Sequence, residues 1–414
     1  MKKLNNNIKN IWILNHYAIT PDMPGGTRHY DFAKELTQRG YKITIFASSF
    51  HYSQHKELKL TKEEKYKIEN IDGLNFVWIK TFPHQKNDWR RVINMISYMW
   101  RSYWLGKKIT KINKNIKKPD VIIGSSVHLL TVLSAYWLSK HYKAKFTMEI
   151  RDLWPQTLID IGRVKENSPI VKILRLLEKL LYKRAKKIII LSPLTKNYLE
   201  LLRINQNKIH LIPNGVDISK YNIIKNNKIN TTFNIIYTGI IGVFINLKPV
   251  LDSAKIIQKK GFENIKFTFV GEGVEKSQLI KIKKDLKLTN VEFLEPISKN
   301  KIPGFLATAS ALLLVTNKVL YGSENKLMDY MASGKPIIFS LFDGHNNITN
   351  TVNCGISIPP ENPEKMAEAI IKLYNMSAEE REKMGQRGRE YVEKYHSIPV
   401  LVNKLEKVFR EINI

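Results

Sequence analysis

The chain has 414 residues, of which 43% are hydrophobic, and its formal net charge is +30. This hydrophobic content excludes a disordered polyelectrolyte, because disorder requires low hydrophobicity together with charge, and the length suggests two or three domains. Cys354 is the single cysteine, which excludes a disulfide framework and a cysteine-based zinc site and fits a reducing compartment.

The positive charge is concentrated in the N-terminal half. Residues 1–213 contain 39 Lys and Arg against 16 Asp and Glu, a net charge of +23, whereas residues 214–414 contain 28 against 21, a net charge of +7. A lysine-rich coding bias would raise the total positive charge but would not explain the difference in charge between the two halves. The asymmetry predicts an anionic partner for the N-terminal half, namely a membrane surface, a nucleic acid or a phosphorylated substrate.

No apolar run in the sequence approaches the roughly 18 residues typical of a membrane span. Residues Met1–Asn7 also lack the apolar segment of a secretory signal peptide. We therefore expect a cytoplasmic protein that does not cross the membrane.

Short apolar segments alternate with helical stretches from end to end, which is typical of a parallel α/β sheet. The predicted strands are Ile11–Leu14, Lys42–Ala47, Leu74–Ile79, Val121–Gly124, Lys145–Ile150, Lys187–Leu191 and His210–Ile212, then Phe233–Thr238, Lys266–Val270, Val291–Leu294, Ala311–Val315 and Pro336–Ser340. The turn-rich segment Pro213–Asp217 and the polar stretch Lys220–Thr232 separate the two groups. We predict two Rossmann-like domains, over residues 1–213 and 214–392, and a helix pair within Glu390–Ile414.

Two loops have the features of phosphate-binding loops. Gly25-Gly26-Thr27 follows the first strand and begins a helix that ends before Gly40, so the glycines would let a phosphate approach backbone N–H groups. In the second half, Ser323 is a possible N-cap of a helix over residues 324–332, with Lys326 in its first turn and Asp329 one turn later. A tight loop and an ordinary capped helix are the structural alternatives.

Six motifs in fixed order carry a resemblance to a known family. They are Asn15-His16-Tyr17 with Pro24-Gly25-Gly26-Thr27-Arg28, Glu149-Ile150-Arg151-Asp152-Leu153-Trp154-Pro155, Leu191-Ser192-Pro193, Ile212-Pro213-Asn214-Gly215-Val216-Asp217, Val270-Gly271-Glu272-Gly273, and the segment 325–336. Over nearly its whole length the chain resembles the retaining glycosyltransferases of family 4. The Arg-Asp-Leu-Trp-Pro form is similar to bacterial surface-polysaccharide transferases, a subgroup that includes the fucosaminyltransferases of O-antigen synthesis.

The resemblance implies the α/β fold called GT-B, in which two Rossmann-like domains face each other across a cleft. It implies that the C-terminal helix, residues 393–414, returns to the N-terminal domain. It also implies a nucleotide-sugar donor, expected to be UDP-linked, held mainly by the C-terminal domain. The acceptor implied by the subgroup is a polyprenyl-diphosphate-linked saccharide of O-antigen or capsule synthesis.

The site residues are implied by the same resemblance. The donor-binding set is Gly25, Gly26, Thr27, Gly242, Glu272, Glu295, Ile297, Ser323, Glu324, Asn325, Leu327 and Asp329. Lys326 would hold the diphosphate, Asp329 the ribose, and the backbone at Glu295-Pro296-Ile297 would lie near the base. Arg151 and Asp152 would lie near the transferred sugar, and with Lys326 they form the implied catalytic set.

Three positions depart from the family pattern. Tyr321 stands where the first acid of the Glu-x7-Glu motif is expected, and Asp329 replaces the second Glu. The loop Gly239–Asn246 lacks the Arg and Lys that many members carry, which leaves Lys326 as the main cation expected at the diphosphate. The sequence has no Asp-x-Asp motif, so we expect no catalytic metal and no other cofactor. In a retaining reaction of this family, an oxygen of the donor phosphate is the expected proton acceptor.

Two basic amphipathic stretches indicate an anionic membrane surface near the acceptor. The first, Asp88–Trp104, contains three Trp, two Tyr and three Arg, and the second begins at Ser168-Pro169 and alternates leucines with basic residues. Helices packed on the sheet with solvated lysines are the alternative. The residues expected at the acceptor or the membrane are His16, His128, Trp89, Arg90, Trp100 and Trp104.

Three other functions remain open on the sequence alone. A nucleic-acid-binding protein would explain the charge, although no recognised binding motif is present. A nucleotide-sugar epimerase of the same fold would need no acceptor. An inactive partner subunit would explain Tyr321 and the missing Arg and Lys.

Overall fold

The computed structural model describes residues 8–85, 88–160, 162–221, 232–242, 245–315, 325–341 and 347–412. Within these residues the chain forms two compact units. The first contains the residues up to Pro213 together with those from Ile398 onward, and the second contains most of the chain from Asn214 to Ser397.

The first unit is built on a sheet whose strands are mostly parallel. The described strands of this unit are β1 (Asn10–Leu14), β2 (Lys42–Ser48), β3 (Phe50–His51), β4 (Lys56–Glu57), β5 (Tyr66–Ile71), β6 (Leu74–Ile79), β7 (Val121–Ser126), β8 (Lys145–Ile150), β9 (Lys187–Ile190) and β10 (Ile209–Leu211). The described strands of the main sheet follow the order β10-β9-β8-β7-β1-β2-β6-β5, while β3 and β4 pair separately. Only β5 runs antiparallel to its neighbour in that sheet.

Helices cover both faces of this sheet. They are α1 (Arg28–Gln38), α2 (Trp89–Ile112), α3 (Leu129–Tyr142), α4 (Gln156–Asp160), α5 (Pro169–Arg184) and α6 (Pro193–Leu201). Alternate residues of β1 supply the two cores, as the period of two requires. Ile13 packs in the cluster that contains Leu36 of α1, and Trp12 packs in the cluster that contains Leu138 of α3.

The second unit contains an all-parallel sheet. Its elements are β11 (Phe233–Thr238), α7 (Lys248–Lys259), β12 (Ile265–Val270), α8 (Lys276–Asp285), β13 (Val291–Leu294), α9 (Ile302–Ala307), β14 (Ala311–Val315), α10 (Asn325–Ala332), β15 (Ile337–Ser340), α11 (Ile348–Val352), β16 (Gly355–Ile358), α12 (Pro363–Asn375) and α13 (Ala378–Tyr395). The strand order is β13-β12-β11-β14-β15-β16. A final helix, α14 (Ile398–Ile412), packs on α1 of the first unit, where Arg39 pairs with Glu406 at 2.7 Å.

Each sheet has a point where the strand order reverses. The chain proceeds from β1 to β2 on one side and then returns to place β7 on the other side of β1. In the same way β11 lies between β12 and β14. Ligands of open α/β sheets bind in the crevice beyond the carboxyl ends of the strands at such a point, so His16 and His128 lie at one crevice and Gly239 at the other.

The predicted strands are confirmed to within two residues at their ends, whereas β3, β4, β5 and β16 were not predicted and the predicted helix pair requires correction. The antiparallel β5 was missed, because its alternating polar residues at a sheet edge do not form an apolar run. The predicted helix pair within Glu390–Ile414 is wrong at its start, since α13 begins at Ala378. There Ser377 and Glu380 form a capping box, with Glu380 N–H donating to Ser377 Oγ at 3.1 Å.

Candidate functional site

Lys326 lies in the first turn of α10, and its ammonium group is held beyond the end of β11. Tyr330, one turn later, accepts a hydrogen bond from the Thr238 backbone N–H at 3.0 Å, which fixes the rotation of α10 about its axis. Lys326 Nζ then donates a hydrogen bond to Tyr237 Oη at 2.8 Å. The helix N-terminus at this place also favours an anion, because its first N–H groups lack partners within the helix.

Two glycines make room for this arrangement. Gly239 has φ +133°, and a Cβ atom there would lie 2.4 Å from both Cε and Nζ of Lys326. Gly271 crosses directly over Gly239, and a Cβ at Gly271 would lie 1.8 Å from the Gly239 carbonyl oxygen. Any side chain at either position would displace the lysine or separate the two loops.

Asp329 is oriented by a tyrosine outside the motif. Tyr221 Oη donates a hydrogen bond to Asp329 Oδ1 at 2.7 Å. Tyr221 is itself held through its carbonyl oxygen, which accepts from Arg389 Nη1 at 2.7 Å. The Asp329 carboxylate therefore lies one helical turn from Lys326 in a fixed orientation, and its predicted role as ribose ligand stays a prediction.

Lys276 is a residue of this unit that sequence reasoning missed. Its Nζ lies 3.2 Å from Glu272 Oε2 and 2.8 Å from Glu295 Oε1, while it also donates to the Leu294 carbonyl oxygen at 3.3 Å. The lysine is buried and both carboxylates are mostly exposed. Lys276 thus joins the two loops that carry the predicted donor residues Glu272 and Glu295. No motif in the sequence indicated this contact.

The other predicted donor residues lie in different environments. Leu327 is 3% exposed and packs in the core, so it could reach a donor only through its backbone. Gly242 and Ile297 are half-buried, on the loops after β11 and β13. Ser323, Glu324 and the side chain of Asn325 lie outside the described residues. Ile240, on the loop after β11, is 62% exposed.

In the first unit, a buried ion pair joins β8 to the start of α1. Glu149 Oε1 accepts from Arg28 Nε at 2.8 Å, and Glu149 Oε2 accepts from Ser125 Oγ at 2.9 Å. Burial would raise the pKa of Glu149, but Arg28 and His29 outweigh it and hold this pKa well below its usual range. Arg28 also donates to the Ile212 carbonyl oxygen at 2.8 Å, so the ion pair also holds the segment that follows β10.

The glycine loop before α1 leads into this network. Gly25 has φ +133°, a value that favours glycine. Thr27 stands at the N-cap position, where its Oγ1 donates to Asp31 Oδ2 at 2.6 Å instead of capping the helix. Gly26 lies between them, and all three stay predicted donor residues.

His16 and His128 form a fully buried pair at the crevice of the first sheet. His128 Nδ1 accepts from the Thr131 backbone N–H at 3.3 Å, so its Nε2 carries the hydrogen and donates to His16 Nδ1 at 2.7 Å. His16 stacks on Tyr98 at 4.3 Å between ring centres. Burial lowers the pKa of His16 well below its usual range and that of His128 to about 3. Both rings are therefore neutral at pH 7, and their predicted contact with an acceptor stays a prediction.

Arg91, which was not among the predicted site residues, is the cation that faces this histidine pair. Burial is the main cause that lowers the pKa of His16 and His128, and the positive charge of Arg91 adds to it. The predicted residue Arg90 instead lies 3.8 Å from Asp88 at the surface and 5.4 Å from the centre of the Trp89 ring. Successive helical residues point about 100° apart, and only packing shows which of the two arginines faces inward.

Asp152 and Arg151 lie on the loop that follows β8. The Asp152 backbone N–H donates to the Ser126 carbonyl oxygen at 3.2 Å, which ties this loop to the end of β7. Asp152 keeps contact with solvent, yet desolvation raises its pKa even though Arg151 and Arg91 lower it. The loop therefore places the Arg151 guanidinium near Glu149 and the Asp152 carboxylate near Tyr17, each close enough for an electrostatic interaction.

Two helices of the first unit carry apolar side chains on their exposed faces. We call them the α2 ridge, which consists of Trp89, Val92, Ile96, Trp100 and Trp104, and the α5 ridge, which consists of Ile170, Ile173, Leu176 and Leu180. Both helices pack against α3, and α5 buries Val171, Leu181 and Tyr182 on its other side. From the sequence, membrane contact and packing on the sheet were alternative interpretations of these helices. In the structure each helix packs by one face and leaves an apolar ridge exposed on another.

The described residues contain neither a candidate membrane span nor a candidate metal site. No helix there combines the length and apolar composition needed to cross a membrane. Likewise, no cluster of three or more His, Cys, Asp or Glu within the described ranges could hold a metal ion. The expectation of metal-independent chemistry therefore stays a prediction.

The chain matches proteins of known family in its sequence. Residues 25–220 match the family model of Glycosyltransferase Family 4, and residues 219–391 match that of glycosyl transferases group 1. The chain is also 21% identical over 239 residues to the uncharacterized glycosyltransferase MJ1069 of Methanocaldococcus jannaschii. That match covers 56% of this chain and 60% of the relative, so it spans less than two thirds of the relative's length.

Solved structures share the fold over nearly the whole chain. A sucrose-phosphate synthase from Thermosynechococcus elongatus superposes with a TM-score of 0.73 at 13% identity, covering 98% of this chain and 99% of that one. Anabaena HepE in complex with UDP-glucose superposes with a TM-score of 0.66 at 12% identity, covering 96% of this chain and 98% of that one. WaaG, a glycosyltransferase involved in lipopolysaccharide biosynthesis, superposes with a TM-score of 0.65 at 13% identity, covering 96% of this chain and 99% of that one.

At these identities the structural likeness shows the fold, which is the predicted α/β two-domain GT-B fold. The family models show more, because together they span residues 25–391. The chain therefore belongs to the GT-B glycosyltransferases in which a family 4 region is followed by a group 1 region.

Proposed function

We propose that this protein is a retaining glycosyltransferase that uses a nucleotide-diphosphate sugar, UDP-linked, as its donor. The observation that carries the proposal is the Lys326 ammonium, held beyond β11 beside the N-terminus of α10. A helix N-terminus and a lysine at one place suit a diphosphate. UDP is favoured because HepE, which shares the fold, was solved in complex with UDP-glucose.

The chemistry assigned to this place is electrostatic. The leaving diphosphate gains negative charge as the sugar departs, and preorganised donors aimed at such charge supply the largest stabilisation in many enzymes. Lys326 and the N–H groups of α10 would act in this way, with Asp329 on the ribose. An oxygen of the departing phosphate would take the proton from the acceptor hydroxyl, so no protein nucleophile is needed.

We propose that the acceptor is a polyprenyl-diphosphate-linked saccharide of cell-surface polysaccharide synthesis, bound at an anionic membrane surface. The exposed α2 and α5 ridges support this, because basic helices with an exposed apolar face bind in the interface of anionic bilayers. Lys107 and Lys108 on α2, and Lys172 and Lys179 on α5, supply the charge. WaaG, with the same fold, acts in lipopolysaccharide biosynthesis. The protein would thus work peripherally on the cytoplasmic face of the membrane.

The experiment that tests the donor site is calorimetric unfolding with UDP, GDP, ADP and CMP in turn. A ligand at 100 times its Kd stabilises the folded state by about 2.7 kcal/mol, which raises Tm by roughly 5 °C or more for a unit of this size. We expect UDP to give this shift and Lys326→Ala to abolish it together with sugar transfer. Lys372→Ala, an exposed lysine on α12, is the matched control and should keep both.

Two results would contradict the proposal. If no nucleotide shifts the Tm of the folded protein, the donor site is absent and the inactive-subunit alternative gains support. If Lys326→Ala keeps the full shift and full transfer, the diphosphate is bound elsewhere.

A further inference from the structure

The loop Gly239–Asn246 contains no Lys or Arg, so Lys326 of α10 is the cation expected at the diphosphate and its placement is decisive. Lys326 extends from α10, which packs in the cluster containing Leu312 and Leu314. Tyr237, to which its ammonium is bonded, packs on the opposite face of the sheet, in the cluster containing Phe269. The lysine therefore crosses the end of β11 to reach the tyrosine.

The Tyr237 hydroxyl donates one hydrogen bond and accepts another. It donates its single hydrogen to the Ile240 carbonyl oxygen at 2.7 Å. Its oxygen also accepts a hydrogen bond from Lys326 Nζ at 2.8 Å, and this nitrogen lies 4.5 Å from the centre of the ring. Tyr237 is 1% exposed, so the phenol is a rigid acceptor with no alternative rotamer in water.

We propose that Tyr237 is a positioning residue for donor binding: its hydroxyl holds the Lys326 ammonium above Gly239, where the diphosphate of the nucleotide sugar binds. This inference rests on the proposed diphosphate role of Lys326. Loss of the tyrosine oxygen would remove a contact that restrains the flexible lysine stem, so its charge would be less well placed for the phosphates. Tyr237 itself would touch neither the sugar nor the base.

A binding series separates positioning from a general structural role. The probes are UDP, UMP and uridine, titrated by calorimetry into wild type, Tyr237→Phe, Lys326→Ala and the double variant. A hydrogen bond to a charged group contributes enough that we expect Tyr237→Phe to weaken UDP binding about tenfold. Uridine binding should stay at the wild-type level, because the lost contact concerns only phosphate. In the Lys326→Ala background, Tyr237→Phe should cause no further loss.

The control is Tyr374→Phe on α12, which removes a hydroxyl from the same unit and should leave all three affinities unchanged. Gly239→Ala is the second variant, since its methyl group would displace the ammonium while Tyr237 stays intact; it should lower UDP affinity and spare uridine. Equal losses for UDP and uridine in Tyr237→Phe would overturn the positioning role, as would wild-type UDP affinity in that variant. Wild-type UDP affinity in Lys326→Ala would instead overturn the proposed diphosphate site.

Discussion

Glu149 is a buried carboxylate of the first unit that is paired with two basic side chains. Its partners Arg28 and His29 are about as buried as it is, and 4% of the Glu149 side chain is exposed. Breaking a buried ion pair by removing one partner costs about 3–5 kcal/mol, because the other charge is left buried without compensation. We therefore expect Glu149→Gln to destabilise the first unit by this amount.

Tryptophan fluorescence measures this effect in one unit alone, because all seven Trp lie between residues 12 and 154. Urea unfolding followed at this signal should show a lower midpoint for Glu149→Gln. The matched control is Glu200→Gln on α6, whose pairing with Lys196 at 3.8 Å is exposed. Exposed pairs contribute about 0–1 kcal/mol, so equal midpoints for both variants would contradict the role assigned to Glu149.

The buried histidine pair makes the same unit sensitive to acid. In the unfolded chain His16 and His128 take up protons near their ordinary pKa of 6.5, whereas burial keeps them neutral in the folded protein until much lower pH. Stability is thus fully present above pH 6.5 and falls as pH decreases below it. Each such histidine contributes a slope of about 1.4 kcal/mol per pH unit when fully titrating.

We expect His128→Gln to reduce this slope between pH 6.5 and 5 in urea unfolding followed by tryptophan fluorescence. Glutamine keeps a polar side chain but takes up no proton. His141→Gln, at an exposed position on α3, should leave the slope unchanged. A slope that is identical in His128→Gln and wild type would show that His128 is not the source of the acid sensitivity.

At the scale of elements, α2 and α5 differ from the other helices of the first unit in their exposed apolar ridges. Burying roughly 100 Å² of apolar surface contributes about 2.5 kcal/mol. We therefore expect that replacing Trp100 and Trp104, or Ile173 and Leu176, by Ser will weaken vesicle binding by more than about tenfold. These side chains are about half exposed or more, so the fold should persist.

Flotation with phosphatidylcholine vesicles, with and without phosphatidylglycerol, provides the measurement. Binding should require the anionic lipid and weaken with salt, as screening of surface charges demands. Leu201→Ser removes an apolar side chain that is 83% exposed on α6, outside both ridges, and should change nothing. If both ridge variants float with the vesicles as the wild type does, the membrane role of the ridges is wrong and their apolar faces bind another partner.

Element boundaries show how far local sequence signals extend. The strand β8 and the helix α5 lie where the sequence placed them, because an apolar run and a Ser-Pro start are local properties. The start of α13 was missed although Ser377 and Glu380 form the capping box there, since the prediction used the apolar pattern further on. The edge strand β5 pairs with β6 across the two-residue turn Asp72-Gly73, in which both residues have positive φ, so an Asp-Gly dipeptide is the local signal for this hairpin.

At the scale of the whole molecule, both sheets reverse their strand order at the first strand of the unit. This places the candidate residues of each unit beyond the carboxyl ends of the central strands, β1 and β7 in one, β11 and β14 in the other. The alternation of strands and helices was readable from the sequence. The order of strands in the sheet could not be predicted from the sequence, because it depends on which side of the first strand each crossover connection returns to.

The sequence by itself determined the α/β class, the strand positions and the family, since periodicity, turn residues and motif order are properties of neighbouring residues. It also placed Lys326 in the first turn of a helix. Only the tertiary structure decided that Arg91 rather than Arg90 faces the histidine pair, that Lys276 joins Glu272 to Glu295, and that Tyr237 holds Lys326. These contacts join residues on different elements, often far apart along the chain, and they arise from packing that no local pattern encodes.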